Sequence, residues 1–210
     1  MVATADGKVT IGGRSGPIGN DADRELFHAL RAKFDAVMIG ANTLRVERYG
    51  RIAKDPAVRE RRAAEGLDPD PLAIVVSGRL LLPADLPLLA EPEQRVLILT
   101  AAEGELESCA AQISYLRTPG SEVDLGSLMA KLRADLGIRS ILCEGGPTLN
   151  GSLLAEGLVD ELFLSVAPKL IGGDGHSSVS GAPLPAPQEL ELVSVHESEG
   201  HLFLRYSRVT

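Results

Sequence analysis

Tryptophan is absent from this chain, and aromatic residues fill only 3% of its 210 positions. So few rings leave little to stack on bases. Acidic residues outnumber basic ones, 29 to 21, and the net charge of −8 is the wrong sign for a nucleic-acid partner. Cysteine is nearly absent: Cys109 and Cys143 sit in apolar surroundings, make no metal-ligand spacing, and are expected to pack rather than react. No metal site is expected. No apolar run approaches the roughly 18 residues of a membrane span, and no basic, apolar leader precedes Asp6, so the expected setting is cytoplasmic, with no membrane partner. The dinucleotide fingerprint G-x-G-x-x-G is missing, which argues against an ordinary Rossmann domain. No His/Asp/Ser ordering supports a hydrolase.

What is present is an alternation of short apolar runs with helical patterns. "DAVMIG" (35–40), "LAIVVSG" (72–78), "RVLILT" (95–100) and "ISYL" (113–116) read as buried strands. "DADRELFHALRAKF" (21–34) is an amphipathic helix with Asn20 or Asp21 as its cap, and Leu26, Phe27, Leu30 and Phe34 facing the core. "DLGSLMAKLRADLG" (124–137) is the clearest helix, capped by Asp124, with Leu125, Leu128, Met129, Leu132 and Leu136 at a 3.6-residue period. "DELFLSVAPKLIGG" (160–173) begins as a strand and runs into a glycine loop, and "ELELVSVHESEGHLFLRYSRV" (189–209) is a hairpin turning at Glu199-Gly200. There is no internal repeat, and the proline-rich piece 183–187 is a loop rather than a linker. The pattern predicts one α/β domain over 1–210, with a mixed, mostly parallel sheet and a C-terminal antiparallel hairpin.

In such sheets ligands bind beyond the strand carboxyl ends. Here those ends carry Gly40 and Thr43, Ser77-Gly78-Arg79, Thr100, and Glu144-Gly145-Gly146. The last group lies in "IRSILCEGGPTLNGSLL" (138–154), where an apolar strand stops at a bare glutamate and two glycines before a helix restarts at Pro147. Strand, Gly-Gly, helix start is a geometry that aims free backbone N–H groups at an anion.

Three motifs in this order, "ATADGKV…GRSGPIGNDADRELFHALRAKFDAVMIGANTLRVERYG" (3–50), its "GANT" turn (40–43) and "CEGGPTLNGSLLAEGLVDELFLSVAPKLIGG" (143–173), resemble the reductase domain of riboflavin biosynthesis. That domain is the C-terminal half of the bacterial bifunctional deaminase-reductase and also occurs as stand-alone pyrimidine reductases. The resemblance implies a dihydrofolate-reductase-like fold and a homodimer. It further implies NADPH-dependent reduction of a 5-amino-6-ribosylamino-pyrimidine 5′-phosphate, with hydride delivered to the ribosyl carbon and a ribitylamino product.

By the same resemblance Gly145, Gly146 and Thr148 meet the cofactor diphosphate, with Gly40 and Thr43 as a second phosphate contact. Ser77 and Arg79 stand where an adenosine 2′-phosphate would lie, Arg79 offering a fork of donors to a dianion, and Thr100 ends its strand in the same region. On the substrate side, Asp6 in "ADG" is the counterpart of the family's S-x-D-G strand end, with a structural Asx-turn as the plain alternative. Ser15 in "GRSGP" matches a serine holding the ribose-phosphate end, and Arg51 or Lys54 replaces a phosphate-binding arginine. Glu144 and Glu47 are the candidate catalytic residues, as pyrimidine-facing acceptors or proton relays. The family's first strand normally begins several residues before the S-x-D-G element, often with a lysine, whereas this chain starts at Met1. The element "ERY" (47–49) looks more like the stand-alone branch. Two other readings stay open: a pterin or folate reductase, which the missing tryptophan weakens, and a non-catalytic NADPH sensor.

Overall fold

Runs of β-branched and aliphatic residues become strands where both faces are covered. In the computed structural model the described residues are all but 174–176, 185 and 210; His176 of "GGDGHSS", which the sequence reads as a solvated loop residue with ligand contact as the lesser alternative, lies outside them. The chain divides into two compact units, Phe27–Gly145 and Met1–Leu26 with Gly146–Thr210.

The unit of residues 27–145 is built on five parallel strands, β2 (Ala36–Gly40), β3 (Leu72–Val76), β4 (Arg95–Thr100), β5 (Gln112–Arg117) and β6 (Ile141–Cys143), in the order β5-β4-β3-β2-β6. Each of β2, β3 and β4 reads as an almost unbroken buried run, as a parallel sheet covered on both faces requires. One face packs Val37, Ile39, Val75, Val96 and Ile98 against Leu44, Ile52, Leu86, Leu88 and Leu89, nearly all fully buried. Each such side chain contributes about 1.5–3 kcal/mol of burial. The order reverses at β2: β3 to β5 extend to one side and β6 is added on the other. That is a topological switch point, and its crevice opens at the carboxyl ends of β2 and β6.

Three helices belong to this unit. α2 (Ala41–Glu47) follows β2 directly, with Gly40 as its N-cap. α3 (Pro56–Ala64) starts at a proline behind Asp55, whose carboxylate accepts from the Ala57 N–H at 2.9 Å. α4 (Leu125–Leu136) is capped by Asp124, which accepts from the Ser127 N–H at 2.9 Å, and ends at Gly137 in the left-handed region. The Asp124 cap and the Leu125/Leu128/Leu132 stripe are as the sequence indicates. α3 was not anticipated: it is rich in arginine and carries no apolar stripe.

The other unit holds a four-stranded sheet, β1 (Val2–Thr4), β7 (Glu161–Ala167), β8 (Leu190–Ser198) and β9 (His201–Arg208), in the order β1-β7-β9-β8. β1 runs parallel to β7, while β7, β9 and β8 are antiparallel, the last pair joined at Glu199-Gly200. The expected parallel sheet and C-terminal hairpin are both present, distributed over two hydrogen-bonded sheets. α1 (Asp21–Arg31) begins in this unit and ends, from Phe27 on, in the unit of residues 27–145; the side-chain oxygen of Asn20 accepts from the Asp23 N–H at 2.9 Å, so of the two candidates Asn20 is the cap. α5 (Pro147–Ala155) begins behind Gly146. No helix among the described residues is long and apolar enough to cross a membrane, and no cluster of His, Cys, Asp or Glu among them can hold a metal.

Candidate active site

In the unit of residues 27–145, parallel register lines up the predicted residues along one sheet edge. Gly40 pairs with Val76, and Val76 with Leu99, so Gly40, Ser77 and Thr100 end neighbouring strands at one level. Glu144 continues β6 past Cys143, its N–H donating to the Met38 carbonyl at 2.9 Å. Gly145 then turns at φ +88°, a backbone conformation that favours glycine, and its carbonyl accepts the Gly40 N–H at 2.7 Å. This hydrogen bond ties the two glycines across the switch point. α2 begins at Ala41 with no side chain capping its first turn, so Thr43 lies inside the helix rather than ahead of it.

Ser77 is buried, and its N–H donates to the Leu99 carbonyl at 2.9 Å. Arg79, two residues on, is exposed and forms no ion pair among the described residues. The Thr100 hydroxyl is fully buried and accepts the Ala102 N–H at 3.0 Å, which assigns it to shaping its own turn.

Glu144 is the most constrained carboxylate of the site. Arg31, in the last turn of α1, donates through Nε to Oε1 at 2.6 Å and through Nη2 to Oε2 at 2.7 Å. This is a bidentate fork in which the two side chains are only 9% and 3% exposed. The guanidinium lies 4.2 Å from the Phe27 ring centroid and 5.2 Å from that of Tyr49. Burial works against the charge on Arg31, but the Glu144 carboxylate outweighs it and holds the guanidinium above its ordinary pKa. Burial, then the neighbouring Glu144 carboxylate, pushes the Tyr49 phenol well above its ordinary value, and Glu47 acts in the same direction. Tyr49 therefore stays a neutral hydroxyl at any working pH. His28 is held below its ordinary pKa by burial and then by the Arg31 charge. Burial pushes the Cys143 thiol up to about 11, consistent with an unreactive packing residue.

Arg51 is not part of this constellation. Its guanidinium pairs with Asp70, at 2.5 and 3.0 Å, and with Glu93 at 2.6 Å. Asp70 and Glu93 precede β3 and β4, at the amino ends of the strands, opposite the edge that carries Gly40 and Glu144. Two carboxylates take three of its five N–H donors on the side of the sheet away from Gly40 and Glu144, so the structure does not bring Arg51 together with the other predicted residues. Lys54, its alternative, is exposed and lies close enough to His28 to depress it.

In the other unit, Asp6 accepts from the Thr4 hydroxyl at 2.6 Å and from the Gly172 N–H at 2.7 Å, with the Ile171 N–H at 3.2 Å. These bonds, led by that of Thr4, lower its pKa to about 2. Asp6 is thus a carboxylate that staples the turn after β1 to the glycine loop after β7, by bonds 165 and 166 positions apart rather than by the local Asx-turn held as its alternative. Ser15 is half-buried in the turn before α1, and its carbonyl accepts the Ile18 N–H at 2.9 Å. Gly146 caps α5 without a side-chain bond, and Thr148, in the first turn, is exposed. The Thr148 hydroxyl lies 3.5 Å from that of Ser180.

Sequence reasoning missed Arg31 and Tyr49. The available signal was Glu144 itself: a carboxylate ending a buried strand requires a cationic partner. The spacing alone, 113 residues, gives no hint of which cation.

Residues 1–203 match the family described as the RibD C-terminal domain. The 2,5-diamino-6-ribosylamino-4(3H)-pyrimidinone 5′-phosphate reductase of Archaeoglobus fulgidus is 32% identical over 177 residues, covering 82% of this chain and 80% of its own length. Among solved structures, a pyrimidine reductase-like protein from Corynebacterium diphtheriae superposes with a TM-score of 0.79 at 24% identity, over 100% of this chain and 90% of its own. A diaminohydroxyphosphoribosylaminopyrimidine deaminase/5-amino-6-(5-phosphoribosylamino)uracil reductase from Thermotoga maritima gives 0.78 at 20% identity, and this chain spans 55% of its length. Those two structural likenesses bear on fold alone.

Proposed function

The chain belongs to the RibD C-terminal domain family, a family of riboflavin-biosynthesis reductases, and from that premise we propose that residues 1–210 act as one NADPH-dependent reductase domain for a ribosylamino-pyrimidine 5′-phosphate. The undeaminated 2,5-diamino compound is the first choice of substrate, because the Archaeoglobus relative covering four-fifths of both lengths carries that name. A hydride from the dihydronicotinamide and one proton reduce the carbon–nitrogen double bond of the ring-opened ribosylamino group to the ribitylamine, and the cofactor leaves oxidised by two electrons.

The observation that carries this reading is the side-chain-free edge at the switch point. Gly40 and Gly145 meet there through one hydrogen bond, beside the uncapped first turn of α2. Such an edge fits the close backbone approach and N–H donation that a diphosphate requires. Gly40, Thr43 and Gly145 hold the diphosphate in this reading, and Gly146 and Thr148, in the other unit, are carried as cofactor contacts by the family resemblance alone. Arg79, exposed and without an ion pair among the described residues, receives the 2′-phosphate that distinguishes NADPH from NADH. Thr100 shapes the turn next to it.

Glu144, held by the Arg31 fork and hydrogen-bonded to Tyr49, is the acceptor for a pyrimidine N–H in this reading, and Glu47 is left to carry the proton. The family resemblance alone carries Ser15 and, in place of Arg51, Lys54 as substrate-phosphate contacts, each within its own unit, while Asp6 keeps its turn in place. The chain works as a homodimer in the cytoplasm. The exposed apolar side chains of β8, an edge strand, support the dimer: Leu190, Leu192, Val193 and Val195 are 40–50% exposed.

The test follows NADPH oxidation with the undeaminated and deaminated pyrimidine phosphates and dihydrofolate in parallel, with Arg79→Ala beside the wild type. Turnover of a ribosylamino-pyrimidine, with the NADPH-over-NADH preference shrinking in Arg79→Ala, is expected. Turnover of dihydrofolate alone, or of nothing, refutes the reading.

A further inference from the structure

Resting on the reductase reading above, we propose that Arg31 is a positioning residue: its guanidinium, set between Phe27 and Tyr49, fixes the Glu144 carboxylate and with it the Gly145 turn that follows. Several independent restraints converge on this one side chain. The fork is bidentate, which sets the carboxylate plane as well as its distance. The helix end that carries Arg31 is itself anchored, because Nη1 of the fully buried Arg62 donates to the carbonyls of Arg31, Ala32 and Phe34 at 3.2, 3.0 and 2.8 Å. On the far side, Glu144 is held through its own N–H to Met38, and Gly145 through its carbonyl to Gly40. The Glu144 side chain is thus the link between an anchored helix end and the glycine turn proposed to hold the diphosphate.

Stability is a poor reason for such a pair. An apolar replacement of matched volume at a buried ion pair is often neutral or stabilising, because desolvation offsets the attraction. A fork retained at this depth is better explained by what it orients. The ionisable groups that face Glu144 are Arg31 and His28 from α1, Tyr49 after α2, and Cys143 from β6, with Glu47 reaching Tyr49 and Lys54 reaching His28. Of these, Arg31 alone contacts the carboxylate with a permanent positive charge.

The experiment compares Arg31→Met, Glu144→Gln, the pair Arg31→Met/Glu144→Gln and the apolar pair Arg31→Met/Glu144→Leu with wild type, by kcat/KM against pH, equilibrium NADPH titration and thermal midpoint. Each single variant is expected to lose about 10²-fold in kcat/KM, the cost of a misplaced site, and Arg31→Met/Glu144→Gln no more than either alone. Arg31→Met leaves a buried carboxylate without its cation, so its rate gains a fall toward acid pH that Glu144→Gln and both pairs lack. His28 is common to all five proteins and cancels from that comparison. The apolar pair is expected to keep the wild-type midpoint and still lack activity. Additive losses, an unchanged pH profile in Arg31→Met, or full activity in the apolar pair overturns the proposal. If wild type reduces no pyrimidine phosphate, the reductase reading fails by itself. The NADPH titration then decides the positioning role: equal weakening in both single variants and the Arg31→Met/Glu144→Gln pair upholds it, and wild-type affinity overturns it.

Discussion

Replacing Arg62 by methionine removes a cation that no ligand is proposed to touch, and its cost can be worked from the surrounding atoms. Arg62 is fully buried; Nη1 serves the carbonyls of Arg31, Ala32 and Phe34, and Nε donates to the Asp68 carbonyl at 2.9 Å. Three N–H groups of a charged donor are lost, at about 1.5–3 kcal/mol each, for a gross loss of roughly 5–9 kcal/mol. Against this stands relief of a buried charge whose Nη2 finds no partner among the described residues. Burying such an ion costs several kcal/mol, and removing one member of a buried polar arrangement leaves a net loss of about 3–5 kcal/mol. For a chain of this length that corresponds to a fall in midpoint of roughly 10 °C. Urea denaturation followed by far-UV circular dichroism reads it, with the tyrosine signal of Tyr49 and Tyr115 reporting on the same unit, since the chain has no tryptophan. Arg62→Lys, a point charge without the fork, is expected to fall between the two. A loss below about 1 kcal/mol in Arg62→Met would refute the reasoning, because the four carbonyls would then be satisfied without it.

Two further outcomes follow. Asp6 has its folded pKa lowered to about 2, so its contribution is present above the unfolded value of about 3.9 and is lost as pH falls through the folded one. The stability difference between wild type and Asp6→Asn should therefore be constant above about pH 5, shrink as pH falls and vanish near about pH 1; a difference that persists undiminished in acid contradicts the stapling role. On β8, Leu192→Lys and Val195→Lys place charges on the exposed apolar face and are expected to convert a dimer to monomers in sedimentation equilibrium; a monomeric wild type refutes the dimer outright.

How legible all this was in the sequence depended on range. The strands from β2 to β5 stood out because parallel strands covered on both faces are uninterrupted apolar runs. Asp124 and the stripe behind it declared α4. β1 was not legible, since three residues carry no period and their place is set by β7. α3 escaped because Arg62, its one fully buried side chain, belongs to a residue type normally read as surface. At the site, the glycines and hydroxyls closing each strand were visible, because local turn chemistry demands them. Side-chain partners were not. Arg51 looked like a phosphate ligand only while Asp70 and Glu93 were out of view, and Glu144 looked free only while Arg31 was 113 positions away.

The division of the chain has a consequence for its synthesis. Residues 27–145 form one continuous stretch, whereas the unit around β7 is assembled from both flanks. The terminal amine of Met1 donates to the Phe163 carbonyl across 162 positions. A growing chain therefore presents every strand of the parallel sheet before β1 has anything to pair with, and domains generally fold as units in the order they emerge. β1 waits, unpaired, while the strands of the parallel sheet are made. It stays open to a chaperone or protease over that interval, and the arrival of β7 ends the exposure.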